Sequence, residues 1–593
     1  MNLQKIKKVL KHCKKDEYTK IKGEKFLWRI KNVDEAKVRS ISYDNNLSYS
    51  IAQTLYSRGF TQTEKIRSFL FSSYEKNVFD STLFKDATKT VERILLAIEK
   101  KEKILIFGDY DVDGITSTSL FLLSLLPLGA NINFHLPNRV KDGYGLSTKF
   151  VKKAAENNYK LIITVDNGIS AFDAALKASE LGIDLIITDH HRAQEKLPEA
   201  LAIVNPNQKD CSYPFKELAG VGVSFKIISL LYKQIGKTLP EKIYELLMLG
   251  SVADVVPLIE ENRYWVQYGL SIVNKKRSLS LNCLMQNSRL NKSKINSLDI
   301  GFMISPQINA LGRLDDPREA VKFLISSEKP EVERISFILK KVNEERKLID
   351  RQIYLEIENA ILEKHINLEK ENIIVAANTH WPSGVIGLVA GKLAHNYGKP
   401  AFLFHLDKKG IVKGSCRSIP EFDIFDALNE NKDLLLNFGG HSHAAGLKLK
   451  QKDLPTLKER LENKIAKELT LEDLCPKLDL DAVLELPEMK QKLLLDLDQL
   501  EPFGNQNVQP IFLIKDLTLL RQPQLLKDQH VKCSVFSQGI IKSVIFFNRP
   551  ELFEVFSNLG DKTFDVAAHV VRNEWNERVN IELQGLDVSV NES

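Results

Sequence analysis

The 593-residue chain has only six cysteines, and they are scattered: Cys13, Cys211, Cys283, Cys416, Cys475 and Cys533. No two form a Cys-x-x-Cys pair, which excludes zinc ribbons and thioredoxin-like redox motifs. Reduced thiols in a cytoplasmic protein are the expectation. No apolar segment follows the charged N-terminus, so a secretory signal is not expected. The longest apolar stretch, 119–128, is too short to span a bilayer and holds Pro127, so no membrane insertion is expected. Internal repeats and low-complexity tracts are also lacking, which excludes solenoids. What remains is the composition of an ordinary globular protein, 43% apolar and 27% charged. The length suggests about three or four domains. A net charge of +6 permits a polyanionic partner without requiring one. The early lysines (Lys5, Lys7, Lys8, Lys11, Lys14, Lys15) read as a solvated amphipathic helix rather than a nucleic-acid arm.

The most informative segment is Asp109-Tyr110-Asp111-Val112-Asp113-Gly114, directly after the apolar run 104–107. In an extended chain, side chains two apart share a face. Carboxylates that close repel unless a cation lies between them, and hard divalent cations prefer oxygen ligands. A calcium loop of the EF-hand type is excluded, because its twelfth position needs Glu and here is Leu120.

The residues up to about 100 read as helical, with helix-period apolar positions over 51–55 and 91–98. Continuous apolar runs at 104–107, 161–165 and 185–188 then alternate with helical patterns, which predicts a parallel α/β sheet. Each run ends in polar residues: Asp109, then Asp166-Asn167-Gly168, then Asp189-His190-His191. Open α/β sheets bind ligands at the carboxyl ends of their strands. A further acid, Asp254, ends a helix expected to begin near Glu241. A charged helical stretch, 317–365, reads as a connector, followed by a second α/β pattern (373–377, 384–393, 401–404). Short strands at 511–514, 531–536, 540–547, 564–571 and 579–583 predict a small β-barrel.

Asp109, Asp111, Asp113, Asp166, His190, His191 and Asp254 together suffice to hold two divalent ions. Imidazole beside carboxylate suits Mn2+ as well as Mg2+. Such a pair can clamp the attacking and leaving oxygens of a phosphoryl displacement. The glycine-flanked run Gly439-Gly440-His441-Ser442-His443-Ala444-Ala445-Gly446 could bring two imidazoles to a phosphate, or form a turn with core histidines. Arg417, beside Ser418, could grip a phosphate with its planar fork. Arg139 and Tyr144, in a polar loop, and Arg313 are further candidates for phosphate and base contacts.

The motifs Asp109-x-Asp111-x-Asp113, Asp166-Asn167-Gly168, Asp189-His190-His191 and Asp254 resemble, in order, those of the DHH phosphoesterases. The 439–446 run is similar to the signature of their DHHA1 domain. Asn309 to Arg313, Gly384-Val385-Ile386-Gly387, Arg417-Ser418 and Glu501-Pro502-Phe503-Gly504 resemble the RecJ branch, the bacterial single-stranded-DNA exonucleases. The helical pattern at the start of the chain makes residues 1–50 an N-terminal helical extension, and the resemblance implies a DHH domain (51–315), a helical connector (316–365), a DHHA1 domain (366–465) and an OB-fold (466–593). It implies a cleft between DHH and DHHA1 domains, closed by the OB-fold into a channel for one strand. It also implies 5′→3′ degradation to mononucleotides, with catalysis by Asp111, Asp113, Asp166, His190 and His191. The metals would be held by Asp109, Asp111, Asp113, Asp166, His190 and Asp254. By the same likeness Arg139, Arg313, Arg417, Ser418 and His443 hold the 5′ phosphate and Tyr144 packs on the terminal nucleotide. The expected partners are single-stranded DNA, a RecQ-like helicase and a single-strand-binding protein, met by a monomer in DNA repair and recombination. Two departures touch end recognition: Pro382 follows Trp381 where the family has His, and Gln307 stands where it has Arg. The competing readings are a related phosphodiesterase of short oligonucleotides or cyclic dinucleotides, and a non-catalytic replication scaffold. The OB-like tail speaks against the first and the intact acids against the second.

Overall fold

The computed structural model describes residues 17–138, 142–143, 145–575 and 578–591. The lysine-rich start, Arg139 and Tyr144 lie outside the described residues. Two compact units are present: Ser68–Lys347 with Leu500–Val508, and residues 17–67 with Leu348–Gln499 and 509–591.

The first unit is built on a five-stranded parallel sheet in the order Asn131–His135, Lys103–Gly108, Tyr159–Val165, Asp184–Thr188, Ala202–Val204. Apart from the edge strand Asn131–His135, its strands are buried on both faces, which is why their apolar runs are continuous. Ile104 and Ile106 enter one core while Leu105 and Phe107 enter the other. The helix Val112–Leu125 is buried along nearly its whole length. Helices Gly220–Gln234 and Lys242–Ala253 pack against it.

The second unit holds a five-stranded sheet ordered Leu435–His441, Ala444–Lys450, Ile411–Arg417, Ala401–Leu406, Ile374–Asn378. It also holds a closed barrel. Strands Phe512–Leu519, Phe564–Trp575, Arg578–Val590, Ile540–Phe546 and His530–Ser537 pair in turn, and the last returns to the first through Thr518–Phe536 and Leu519–Val535. The helix Leu552–Ser557 lies between its third and fourth strands in sequence. The fold is thus mixed α/β, with a parallel-sheet domain, a smaller α/β domain and a β-barrel. The connector is a 34-residue helix, Lys329–Leu362, and the division between units falls within it.

The expected helical N-terminal extension is corrected. Strands Tyr18–Lys22 and Leu27–Lys31 form an antiparallel hairpin, and Leu27–Lys31 pairs in parallel with Lys477–Leu480. The physical reason is remote. Buried Asp587 accepts from the backbone of Phe26 and the indole of Trp28, both at 3.0 Å, and from Arg549 at 3.0 Å. A buried carboxylate needs such donors, and here the hairpin supplies most of them. Among the described residues of this region, the first helices are Glu35–Asp44 and Tyr49–Ser57.

Candidate active site

In the parallel sheet, Lys103–Gly108 has its successor strand on one side and Tyr159–Val165 on the other. That is a topological switch point, where open α/β sheets form a crevice. Asp109 leaves the end of the first of these strands and Asp166 the end of the second.

The acidic run is not an extended strand with three carboxylates on one face, as its spacing suggested. Asp111 caps the Val112–Leu125 helix, its Oδ1 accepting from the Gly114 backbone at 3.1 Å, and Asp113 falls in the first helical turn. An uncapped helix start leaves backbone donors unsatisfied, so capping wins over strand continuation. Gly114 permits the tight turn, since a Cβ there would lie 2.5 Å from the Asp109 carbonyl oxygen. From the Ser305–Leu314 helix, Asn309 accepts from the Val112 N–H at 3.1 Å. Gly312 leaves room for the Tyr110 carbonyl, which a Cβ would approach to 2.2 Å. The turn divides the acids. Ligand atoms of Asp109, Asp111 and Asp166 lie within 4.8 Å of one another; so do those of Asp113, His190 and Asp254, and those of Asp166, His190 and His191.

The candidate ligands are positioned by several elements. Asp113 is 1% exposed, and its carboxylate accepts the Gly220 and Val221 N–H groups at 2.6 and 2.7 Å. These open the Gly220–Gln234 helix, whose N-terminus favours negative charge. Asp166 sits at φ +61. Asp254 ends the Lys242–Ala253 helix. The His190 Nε2 is buried without a hydrogen bond. It faces Asp166 Oδ1 at 3.1 Å, Asp254 Oδ2 at 3.7 Å and Asp113 Oδ2 at 3.8 Å, while the ring bonds the Leu218 backbone.

The electrostatics favour positive charge among these acids. Burial, then the Asp111 charge, pushes Asp113 up to about 7 against the pull of its two N–H donors. Burial and the neighbouring carboxylates raise Asp166 and Asp254 well above the usual range. Burial and then His191 lower His190 to about 4, which keeps it neutral with a lone pair free for a cation. For His191 burial works downward, but the bond to Asp189 prevails and lifts it to about 9. Packed carboxylates and a neutral imidazole fit a hard or borderline divalent cation such as Mg2+ or Mn2+.

Asp189 belongs to no ligand set among the described residues. It is buried and accepts from the N–H groups of Ile169, His190 and His191 and from His191 Nδ1 at 2.7 Å. It therefore orients the two histidines, as outer carboxylates do at metal sites. Asn207 holds the His190 carbonyl at 2.6 Å and Asn205 that of His191 at 2.9 Å. Sequence reasoning missed these asparagines and the Gly220–Val221 donors; the glycine pair Gly220-Val221-Gly222 opening an apolar helix was the available signal.

Arg313 is half-buried on the Ser305–Leu314 helix. Gln307, one of the two departures, is buried and donates to the carbonyls of Leu284 and Met303, both at 2.9 Å, so it serves the interior. In the second unit, Arg417, Ser418, His441 and His443 come together. His441 and His443 flank the turn between two paired strands, with rings 6.1 Å apart. The His443 carbonyl accepts from the Ser418 N–H at 2.9 Å. The Ser418 hydroxyl donates to Phe422 at 2.7 Å, so its proton is committed to the turn. Arg417 donates to the Cys416 carbonyl at 2.8 Å. Gly387 leaves space beside it, where a Cβ would lie 2.7 Å from Ser415 Oγ and 3.3 Å from Arg417 Nη2.

Comparison with known proteins follows this geometry. The DHH family N-terminal domain matches residues 103–251, the DHHA1 domain 370–467 and the RecJ OB domain 480–587. The single-stranded-DNA-specific exonuclease RecJ of Bacillus subtilis is 35% identical over 570 residues, covering 96% of this chain and 71% of that protein. The crystal structure of Thermus thermophilus RecJ in complex with Mn2+ superposes with a TM-score of 0.79 at 25% identity, covering 95% of this chain and 80% of the other. The same protein in complex with Mg2+ gives 0.73 at 24% identity, over 95% and 79%. With its acidic crevice and all three domains matched, the chain belongs to the RecJ family of DHH single-stranded-DNA-specific exonucleases.

Proposed function

We propose that the protein degrades single-stranded DNA in the 5′→3′ direction, hydrolysing phosphodiester bonds with two divalent cations, Mn2+ or Mg2+, in DNA repair and recombination. The observation that supports this reading is that two groups of candidate ligands adjoin, His190 of one facing Asp166 of the other at 3.1 Å: adjoining groups suit two neighbouring ions. Two bound ions would supply Lewis acidity and lower a water's pKa from about 15.7 toward roughly 7. Asp109, Asp111 and Asp166 would hold one, and Asp113, His190 and Asp254 the other. His191, held protonated by Asp189, would donate to a non-bridging phosphate oxygen and offset charge developing there. Arg139, Arg313, Arg417, Ser418, His441 and His443 would bind the 5′ phosphate, with Tyr144 against the terminal base.

The domain limits 51–315, 316–365, 366–465 and 466–593 belong to the same proposal. So do a cytoplasmic location, a monomeric state and cooperation with a RecQ-like helicase and a single-strand-binding protein. No helix among the described residues is long and apolar enough to cross a membrane.

The test is digestion of a strand labelled at one end, with and without a 5′ phosphate, under each metal. Early release of labelled mononucleotide from the 5′-labelled strand is expected. Early release from the 3′-labelled strand would refute the polarity.

A further inference from the structure

The turn after Asp254 is held in an uncommon conformation. Val255 lies at φ +61, a region that β-branched residues rarely enter. Its side chain is 62% exposed, so burial does not account for the conformation. Backbone strain of this kind persists only where the surroundings over-determine it, and it clusters at functional sites.

What holds the turn comes from 250 residues away. The Asn505 side-chain amide donates to the Val255 carbonyl at 2.8 Å. The Asn505 carbonyl accepts from the Leu258 N–H at 2.9 Å. One residue thus brackets the turn from both ends. Its own segment, Leu500–Val508, is part of the unit that carries the acids, and it is anchored there. Arg263 donates to the Leu500 carbonyl and Gln267 to that of Glu501, each at 2.9 Å, and Ser297 to that of Phe503 at 2.6 Å. Gly504 lies against Leu258, whose Cδ1 would be 2.6 Å from an added Cβ. In sequence the segment sits between the Gln491–Leu500 helix and the first barrel strand.

We infer that Asn505 is a positioning residue for Asp254, pinning the turn so that this carboxylate stays with Asp113 and His190. The inference rests on the proposed metal-binding role of those three residues.

The test uses the full chain and Mn2+ alone, with free ion counted by its electron paramagnetic resonance. Asn505→Ala removes the amide and keeps the backbone bond to Leu258. The loss of one neutral hydrogen bond predicts roughly fivefold weaker binding at one site, an unchanged melting midpoint without metal, and a nuclease rate restored at saturating Mn2+. Adding Val255→Gly regains affinity, because glycine holds positive φ without the bond. Wild-type affinity in Asn505→Ala would overturn the inference, whatever happens to the midpoint; so would a double variant that binds more weakly than the single one. If the wild-type protein itself binds no Mn2+, the metal-site reading fails instead, and the two failures are distinguishable.

Discussion

Gly220→Ala is the most exacting perturbation of the acidic crevice. Gly220 opens the helix whose first N–H groups hold Asp113 at 2.6 and 2.7 Å. A Cβ added there would lie 2.7 Å from Asp166 Cβ, 2.8 Å from Asp166 Oδ1 and 3.0 Å from Asp113 Oδ2. The first contact decides the cost. Cβ is not the loose end of a side chain, and the Asp166 backbone is fixed at φ +61, so the carboxylate cannot swing aside alone. Relief requires a shift of the helix start or of the Asp166 turn, and overpacking of this kind costs about 1–3 kcal/mol of stability. The effect on turnover is larger, because misplacing reacting groups by about 1 Å costs about 100-fold. The assay is the initial rate of mononucleotide release at saturating Mn2+, with thermal unfolding measured in chelator. Gly301→Ala is the control, since its nearest atom would be Val252 Cγ1 at 3.6 Å, ordinary contact. A Gly220→Ala protein with wild-type turnover would show that the two carboxylates need not hold this geometry.

Without a cation, burial and then the Asp111 charge push Asp113 up to about 7, far above a free carboxylate. Below that pH a cation must displace its proton, so Mn2+ affinity should fall as pH drops from 8 to 6 and binding should release protons in weak buffer; a flat titration refutes this. By linkage, its raised pKa makes the metal-free protein lose stability as pH rises from about 4 through 7, measurable by denaturant unfolding in chelator. Asp111→Ala and Asp166→Ala should each abolish Mn2+-dependent nuclease activity while single-strand binding in a gel-shift assay persists; wild-type rates from either would sink the catalytic assignment. Arg417→Ala should raise KM on a 5′-phosphorylated strand by about 10- to 100-fold, the equivalent of about 1.5–3 kcal/mol for a charged hydrogen bond. Equal losses on the 5′-hydroxyl strand would mean that Arg417 does not read the phosphate.

The central sheet was legible because its strands are buried on both sides. A run such as Ile104 to Phe107 feeds two cores at once, the pattern expected of a strand covered on both faces, and its alternation with helical patterns points to a parallel sheet. The barrel was legible from strand length and spacing. The N-terminal hairpin was not, because its strands have five residues each and its anchor, Asp587, is more than 550 residues away. Local periodicity cannot report a buried charge supplied by another part of the chain.

The site was legible as a set of acids and imidazoles and illegible as a shape. Spacing alone placed Asp109, Asp111 and Asp113 on one face, whereas the cap at Asp111 splits them between two ligand sets. The groups that shape the site are mainly backbone donors and amides: Gly220, Val221, Asn309, Asn207 and Asn505. Each acts through one or two hydrogen bonds or a missing Cβ, and neither leaves a pattern in composition. This bears on how the C-terminal region can be probed. Deletion beyond about residue 470 removes the barrel, but it also removes Leu500–Val508, which belongs to the unit of the acids and fastens the turn after Asp254. Loss of long-strand degradation after such a deletion is therefore expected even if the barrel never touches DNA. Only variants that leave Leu500–Val508 in place can separate strand capture by the barrel from the support its neighbouring segment gives to a proposed metal ligand.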